Sequence, residues 1–520
     1  MRSKPLILAA LLLAAFVINL DTTLVNVALP SLVRELHATT TQLQWVVDAY
    51  NLVFAALLLT SGSLSDRFGR KGMLLAGLTV FGAASLAGGF TTSPAQLIAA
   101  RAVMGLGAAM TFPATLSLIA NIFTGRKERA RAIGLWGAVA GVAIALGPIV
   151  GGWLLEHFSW PSIFIAMAPV AAAAIVLVVA GVPASKNPGT APVDIAGLLL
   201  SAAAMALLVF TIIEAPNYGW SKGRTLAGFA VSAVLLAAFI GWERRAAHPM
   251  LDVRLFRVMR FSAASGAVTV SFFTLFGFIF LMTQYFQFVR GYGPLSTGVH
   301  LLPVALSVGA FSVAGTQLAV RAGTKLIVTL GLVAMAAFYG WVAASTSSTI
   351  GYGTIAVQMV LYGLGMGLTS APATESIMGA VSERQAGVGS AVNDSTRLLG
   401  GTLGVAVIGS VYASLYGTRL TARLPGHLPG RLSAIAHQSV GAAYAVAGRA
   451  PGALGQAVRA AATNAFLHGL SVGCLVAGGV AAAGAVLAVV FLPAQPATPS
   501  VPVPAPATAT TLPAKNPARS

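Results

Sequence analysis

The chain has 520 residues, 57% of them apolar and only 8% charged. A soluble domain carries about 25% charged residues, so a soluble enzyme or binding module is excluded and a membrane protein is indicated. The formal charge of +18 would suit nucleic acid, but the basic residues fall where membrane topology puts them.

A bilayer-crossing helix needs roughly 20 mostly apolar residues. Fourteen such stretches are present, at about 6–30, 42–61, 72–90, 94–120, 130–155, 161–182, 194–213, 225–242, 261–288, 295–318, 323–344, 350–378, 386–414 and 465–492. The opening MRSKPLILAALLLAAF resembles a signal peptide. Its apolar run continues without a small-residue cleavage pattern, however, so it is expected to remain as the first span. Within that span, LDTTLVNVALP carries Asp21, a residue type that costs about 2.5 to 3.5 kcal/mol at a membrane helix centre. The second span opens on WVVDAYNL, with Asp48.

Between the second and third spans lies GSLSDRFGRK, at 62–71. Gly62 and Gly69 allow a tight turn, and Asp66, Arg67, Arg70 and Lys71 can form a charge cluster that joins neighbouring helices. The fourth span, LIAARAVMGLGAA, contains Arg101. Arginine stays charged, so Arg101 is expected to face a cavity or a carboxylate, or to reach back to the interface. In the fifth span, GVAIALGPIVGGW places Gly141, Gly147, Pro148, Gly151 and Gly152 in mid-helix. These residues weaken a soluble helix, yet in a membrane they permit kinks and close backbone approach.

The ninth span, SFFTLFGFIFLMTQYFQF, offers Phe273, Phe276, Phe280 and Tyr285 to a substrate cavity, although packing toward lipid or core is the stronger reading. Glu375 reads as interfacial. Asp394 and Arg397 stand three apart on one face of the thirteenth span; they either neutralise each other or take part in coupling or cation binding. The segment 415–464 contains five arginines, and its LPGHLPGRL suggests turns. Cys474, the single cysteine, excludes an intrachain disulfide and a cysteine-built metal site and reads as a small buried hydrophobe. The stretch 493–520 is rich in Pro, Ala and Thr and is expected to be a disordered tail.

Orientation follows from charge. A cytoplasmic N-terminus places Arg67, Arg70, Lys71, Arg126, Lys127, Arg129, Arg131, Arg244, Arg245, Arg321 and Lys325 inside, while the short outer loops keep only Arg34, Lys222, Arg224 and Arg290. Both termini are then cytoplasmic, and no nucleic-acid partner is needed to explain the charge.

The chain also repeats itself. GLGAAMTFPAT at 105–115 returns as GLGMGLTSAPAT at 363–374, and GSLSDRFGRK returns as TQLAVRAGTK at 316–325. Such repeats build many secondary transporters, with the substrate path between the halves. The expected architecture is all-α, with a six-helix half at 1–182, two inserted helices within 183–260, and a second six-helix half at 261–492 that includes the outer loop.

Together these motifs resemble those of the major facilitator superfamily. They are the Gly62, Leu64, Asp66, Arg67, Gly69, Arg70 and Lys71 spacing, the Arg101, Gly105 and Gly107 string, and the Gly-Pro-x-x-Gly-Gly of the fifth span. LDTTLVNVALP, WVVDAYNL and HPMLDVRLFR, with fourteen spans, are similar to its drug:proton antiporter group. The resemblance implies export of hydrophobic, often cationic drugs or antibiotics in exchange for protons. It further implies conformational switching at Asp66, Arg67, Gly69 and Arg70, proton coupling at Arg101, and an antiporter motif at Gly147, Pro148, Gly151 and Gly152. Two departures stand out: Val320 occupies the Asp66 position in the second copy, and SWPSIF lacks the expected basic residue after Trp160.

At about 1.5 Å per helical residue, Asp21, Arg101 and Asp48 fall roughly 14, 11 and 9 Å below the outer edge. Burial favours the protonated form of a carboxyl and a nearby cation favours the ionised form, which makes proton coupling at Asp21 against Arg101 the expectation, with a fixed ion pair as the alternative. No phosphate loop or histidine-rich metal spacing is present. The chain is therefore expected to be neither an enzyme nor a user of a cofactor, and to work from the proton gradient as a monomer in a bacterial cytoplasmic membrane. Export of an endogenous metabolite, lipid or siderophore is the nearest alternative, and a non-transporting sensor a more distant one.

Overall fold

A computed structural model describes residues 4–185, 194–381, 386–425 and 428–494, and every regular element among them is helical. The first group comprises α1 (Lys4–Leu36), α2 (Thr40–Phe68), α3 (Arg70–Gly89), α4 (Pro94–Ile122), α5 (Arg126–His157), α6 (Ser162–Ile165) and α7 (Met167–Gly181). Then come α8 (Ile195–Tyr218) and α9 (Gly223–Glu243). The second group comprises α10 (Met259–Gln284), continued by a π turn (Tyr285–Val289), α11 (Pro294–His300), α12 (Leu302–Ala322), α13 (Thr324–Ser345), α14 (Tyr352–Met378), α15 (Ala386–Thr421), α16 (Gly430–Gln438), α17 (Val440–Arg449) and α18 (Gly452–Phe491). Taking α6 with α7 and α11 with α12 as single crossings, fourteen spans are long and apolar enough to cross a membrane.

Local chemistry fixes the helix starts. Thr39 and Gln42 cap α2 reciprocally: the Gln42 N–H donates to the Thr39 hydroxyl and the Thr39 N–H to the Gln42 side chain. Ser93 caps α4 just ahead of Pro94. Gly69 ends α2 at φ 115, a conformation that excludes most side chains.

The two groups are built alike. In the first, Gly77 of α3 lies against the Gly107 carbonyl and Thr111 of α4; in the second, Gly331 of α13 lies against the Gly365 carbonyl and Thr369 of α14. The repeated sequence thus makes the same small-residue contact twice. The inserted pair α8–α9 sits at the side, where Val209, Ile212 and Ile213 of α8 pack with Leu52 of α2 and Ala406 of α15.

Two stretches depart from the expected pattern. The last helix begins at Gly452, well before the predicted 465, because GALGQAVRAAATN is alanine-rich and helix-favouring while too polar to register as a span. For the same reason 415–464, expected as loop and turns, is largely helical through the end of α15, α16, α17 and the start of α18. Within the 493–520 tail, 495–520 lies outside the described residues.

The halves are joined at one end, that of the α1–α2 turn. Gln44 of α2 donates to the carbonyls of Val405 and Ala406 and to Ser410 of α15. Gln287 donates to the Val27 carbonyl, and Thr40 to that of Gln438. Gly441 of α17 is wedged between Val33 and Phe288. Toward the α2–α3 end, Gly134, Gly137 and Gly141 of α5 have nothing within 4 Å of a Cβ position among the described residues. The molecule is closed at the first end, and this face of α5 is open toward the second.

Candidate functional site: a buried ion pair in the first half

Asp21 of α1 and Arg101 of α4 are both withdrawn from solvent, at 1% and 0% exposure. Arg101 Nη1 donates to Asp21 Oδ2 at 2.5 Å, and Arg101 Nε donates to the Val46 carbonyl at 3.0 Å. The guanidinium carbon stands 4.3 Å from the centre of the Tyr50 ring, within cation–π range. The Tyr50 hydroxyl donates to the Ile18 carbonyl on α1, at 3.1 Å. Gly105, one turn after Arg101, makes this close approach possible, since a Cβ there would come within 2.5 Å of the Tyr50 carbonyl oxygen. Arg101 Nη2 and Asp21 Oδ1 have no hydrogen-bond partner among the described residues. The pair is compact but not saturated.

Asp48 is not part of this pair. It is fully buried, and neither of its oxygens has a partner among the described residues. One turn from Gln44, it lies on the face of α2 that meets α15, away from the Val46 and Tyr50 positions that meet α4.

The glycine string of α5 seats the turn that carries Asp21. Gly147 lies against the Leu20 carbonyl and the Leu24 N–H, Gly151 lies against the Leu24 carbonyl, and Thr23 donates to the Ile144 carbonyl at 2.9 Å. The neighbouring face meets α11: a Cβ on Gly152 would come within 2.6 Å of the Pro294 carbonyl, and the Pro148 carbonyl abuts Gly298. Gly141 touches neither partner.

This motif set on a twice-repeated helical bundle accords with the sequence comparison, in which the Major Facilitator Superfamily profile matches residues 11–405. The chain belongs to the major facilitator superfamily. It is similar to the multidrug resistance protein Stp of Mycobacterium tuberculosis, with 36% identity over 79% of this chain and 76% of that protein. The multidrug efflux pump LfrA of Mycolicibacterium smegmatis is 35% identical over 93% and 95% of the respective chains. The tetracenomycin C resistance and export protein of Streptomyces glaucescens is 32% identical over 96% and 94%. Among solved structures, a bacterial homologue of the human lysosomal transporter Spinster superposes with a TM-score of 0.66 at 15% identity, covering 94% of this chain and 98% of that one. That likeness establishes the fold.

The loop motif of this superfamily member ties α2 and α3 to the chain after α7. The Arg70 N–H donates to the Ser185 carbonyl at 2.9 Å and its guanidinium to the Ser185 hydroxyl at 3.0 Å; Ser185 in turn donates to Asn121 at the end of α4. Lys71 donates to the Val179 carbonyl, Arg67 lies over Phe68, and a Cβ on Gly62 would stand 3.9 Å from Pro113. The side chain of Asp66 lies outside the described residues. In the second copy Gly323, at φ 90, meets the Ala494 carbonyl after α18, as Gly69 meets Ser185 after α7.

In the second half, Arg397 and Asp394 approach only to 3.9 Å. Arg397 also donates to Thr374 at 3.3 Å and lies over Phe272. Phe273, Phe276, Phe280 and Tyr285 are buried among helices: Phe276 lies against Gly401, and Tyr285 donates to the Ser347 carbonyl. Phe272, which the aromatic pattern did not distinguish, remains partly exposed. Glu375 is exposed beside Thr374. Among the described residues no cluster of His, Cys, Asp and Glu could hold a metal ion. Tyr50 and the Val46 carbonyl were missed by sequence reasoning; position i+4 to Val46 on a helix already carrying a buried acid was the available signal.

Proposed function

We propose that the chain is a proton-coupled antiporter that exports hydrophobic, often cationic small molecules, drugs and antibiotics among them, by alternating access. It works as a monomer in the bacterial cytoplasmic membrane, with both termini in the cytoplasm and no cofactor beyond the proton gradient. The observation that carries this reading is the dry Asp21–Arg101 pair, in a chain whose relatives are named for multidrug resistance, efflux and antibiotic export.

The chemistry follows from the competition of two cations for one carboxylate. Ionised Asp21 is stabilised by Arg101; a proton on Asp21 releases the guanidinium, which weakens the link between α1 and α4. Because Gly147 and Gly151 seat the same turn of α1 on α5, a small movement there is passed to the α5–α11 contact that closes the outer end. Arg70 and Lys71 brace the inner turn, while Asp48, Asp394 and Arg397 are further sites of charge exchange. Substrate enters from the inner mouth and leaves after the closed end opens.

The test uses inside-out vesicles with an imposed pH gradient and a panel of cationic dyes and antibiotics. Wild type is expected to dissipate the gradient when a substrate is added, and Asp21→Asn to lose at least nine-tenths of that response. Full proton-driven transport by Asp21→Asn would sink the assignment.

A further inference from the structure

We infer that Tyr50 is a positioning residue for the proton exchange at Asp21, its ring being the contact that the Arg101 guanidinium keeps when Asp21 takes a proton. This rests on the reading of Asp21 as the coupling carboxylate. Three groups hold the guanidinium: Asp21 Oδ2, the Val46 carbonyl and the Tyr50 ring face. Only the first is lost when Asp21 takes a proton. A buried guanidinium stripped of its counter-ion is strongly destabilising, so without another stabilising surface Asp21 would stay ionised. The ring supplies that surface at 4.3 Å.

The geometry is built for this role from both sides. Gly105 admits the Tyr50 backbone against α4 one turn beyond Arg101, and the hydroxyl of Tyr50 is tied to Ile18, one turn ahead of Asp21. Thr22 donates to the same Ile18 carbonyl, which fixes the tyrosine between the two helices that carry the acid and the base. Among the described residues, the charged and titratable groups in contact with the guanidinium are Asp21 from α1 and Tyr50 from α2. Asp48 faces α15.

The sign is determined by which form the ring favours. With Asp21 ionised, the carboxylate dominates and the ring adds little; with Asp21 protonated, the ring and the Val46 carbonyl hold the charge alone. The ring therefore favours proton uptake, and removing it moves uptake to lower pH. A cation–π contact of ordinary strength corresponds to a shift of roughly half to one and a half pH units.

The pH dependence of ethidium-driven proton movement in inside-out vesicles tests this. Tyr50→Leu is expected to move the midpoint to lower pH by that amount, while Tyr50→Phe, which keeps the ring and loses the Ile18 hydrogen bond, holds the wild-type midpoint. A series of singly to triply fluorinated phenylalanines at position 50 keeps the shape and drains the ring face of negative charge; the midpoint should fall stepwise along it, even if Tyr50→Leu does not fold. A structural role alone would lower the amplitude in every variant and leave the midpoint in place, overturning the proposal. Wild-type protein that moves no protons would overturn the coupling reading as well, whereas an Asp21-dependent midpoint that ignores fluorination would overturn the role of Tyr50 only.

Discussion

At the scale of single residues, the site depends on contacts that no hydropathy pattern reveals. Arg101 uses Nε and Nη1 on two different helices at once, a forked geometry that lysine cannot reproduce. Arg101→Lys should therefore keep the protein folded, as judged by size-exclusion profile, and still lower substrate-driven proton movement at least tenfold. Gly105→Leu is a different kind of change. With the Tyr50 carbonyl oxygen 2.5 Å from its Cβ position, the substitution forces α2 and α4 apart at a cost of about 1 to 3 kcal/mol, measurable as a lower melting temperature in detergent. The presence of Asp21 and Arg101 at a common level was legible from residue counts along their helices. Depth does not fix direction around a helix, and for that reason Asp48, at a similar level, could not be separated from the pair until its face of α2 was known.

At the scale of helices, the closed end depends on small residues and on the helical segment above it. Gly441 of α17 lies 2.7 Å, at a Cβ position, from a Val33 methyl, so a cysteine pair at 33 and 441 would bring its Cβ atoms within about 4.3 Å, inside the range a disulfide requires. Oxidised Val33→Cys/Gly441→Cys protein should stop transporting, and reductant should restore it; uninterrupted transport with the bond formed would show that this contact need not part. These helices were hard to foresee. Hydropathy detects spans long enough for a bilayer, whereas α16 and α17 are short, and the alanine-rich start of α18 signals helix without signalling membrane. The repeat, by contrast, was fully legible, because a glycine contact that is required twice leaves its sequence twice.

At the scale of the whole molecule, the halves differ in how they are braced. In the first, the loop motif is bound to Ser185 through Arg70, while in the second Val320 stands where Asp66 does and is 73% exposed. The inserted pair adds a second asymmetry, since α8 covers the seam between α2 and α15, whereas among the described residues neither inserted helix is packed on α5 or α12. Fold class could be argued from composition and repeat alone. Which seam the insertion occupies could not, because the sequence gives its position in the chain and not around the bundle.

Cys474 has a practical consequence. It is the chain's single cysteine and is buried at the wall of a small apolar cavity that Leu281, Tyr339 and Ile408 also line, so Cys474→Ala turns the protein into a blank ground for site-specific labels. Phe68 and Val320, exposed at 70% and 73% on the turns that end α2 and α12, then serve as reporters on opposite halves. A spin-label pair at those two positions should show a long distance for the state described and a shorter one once the opposite end opens, giving a ruler for the transport cycle that reads shape without measuring flux.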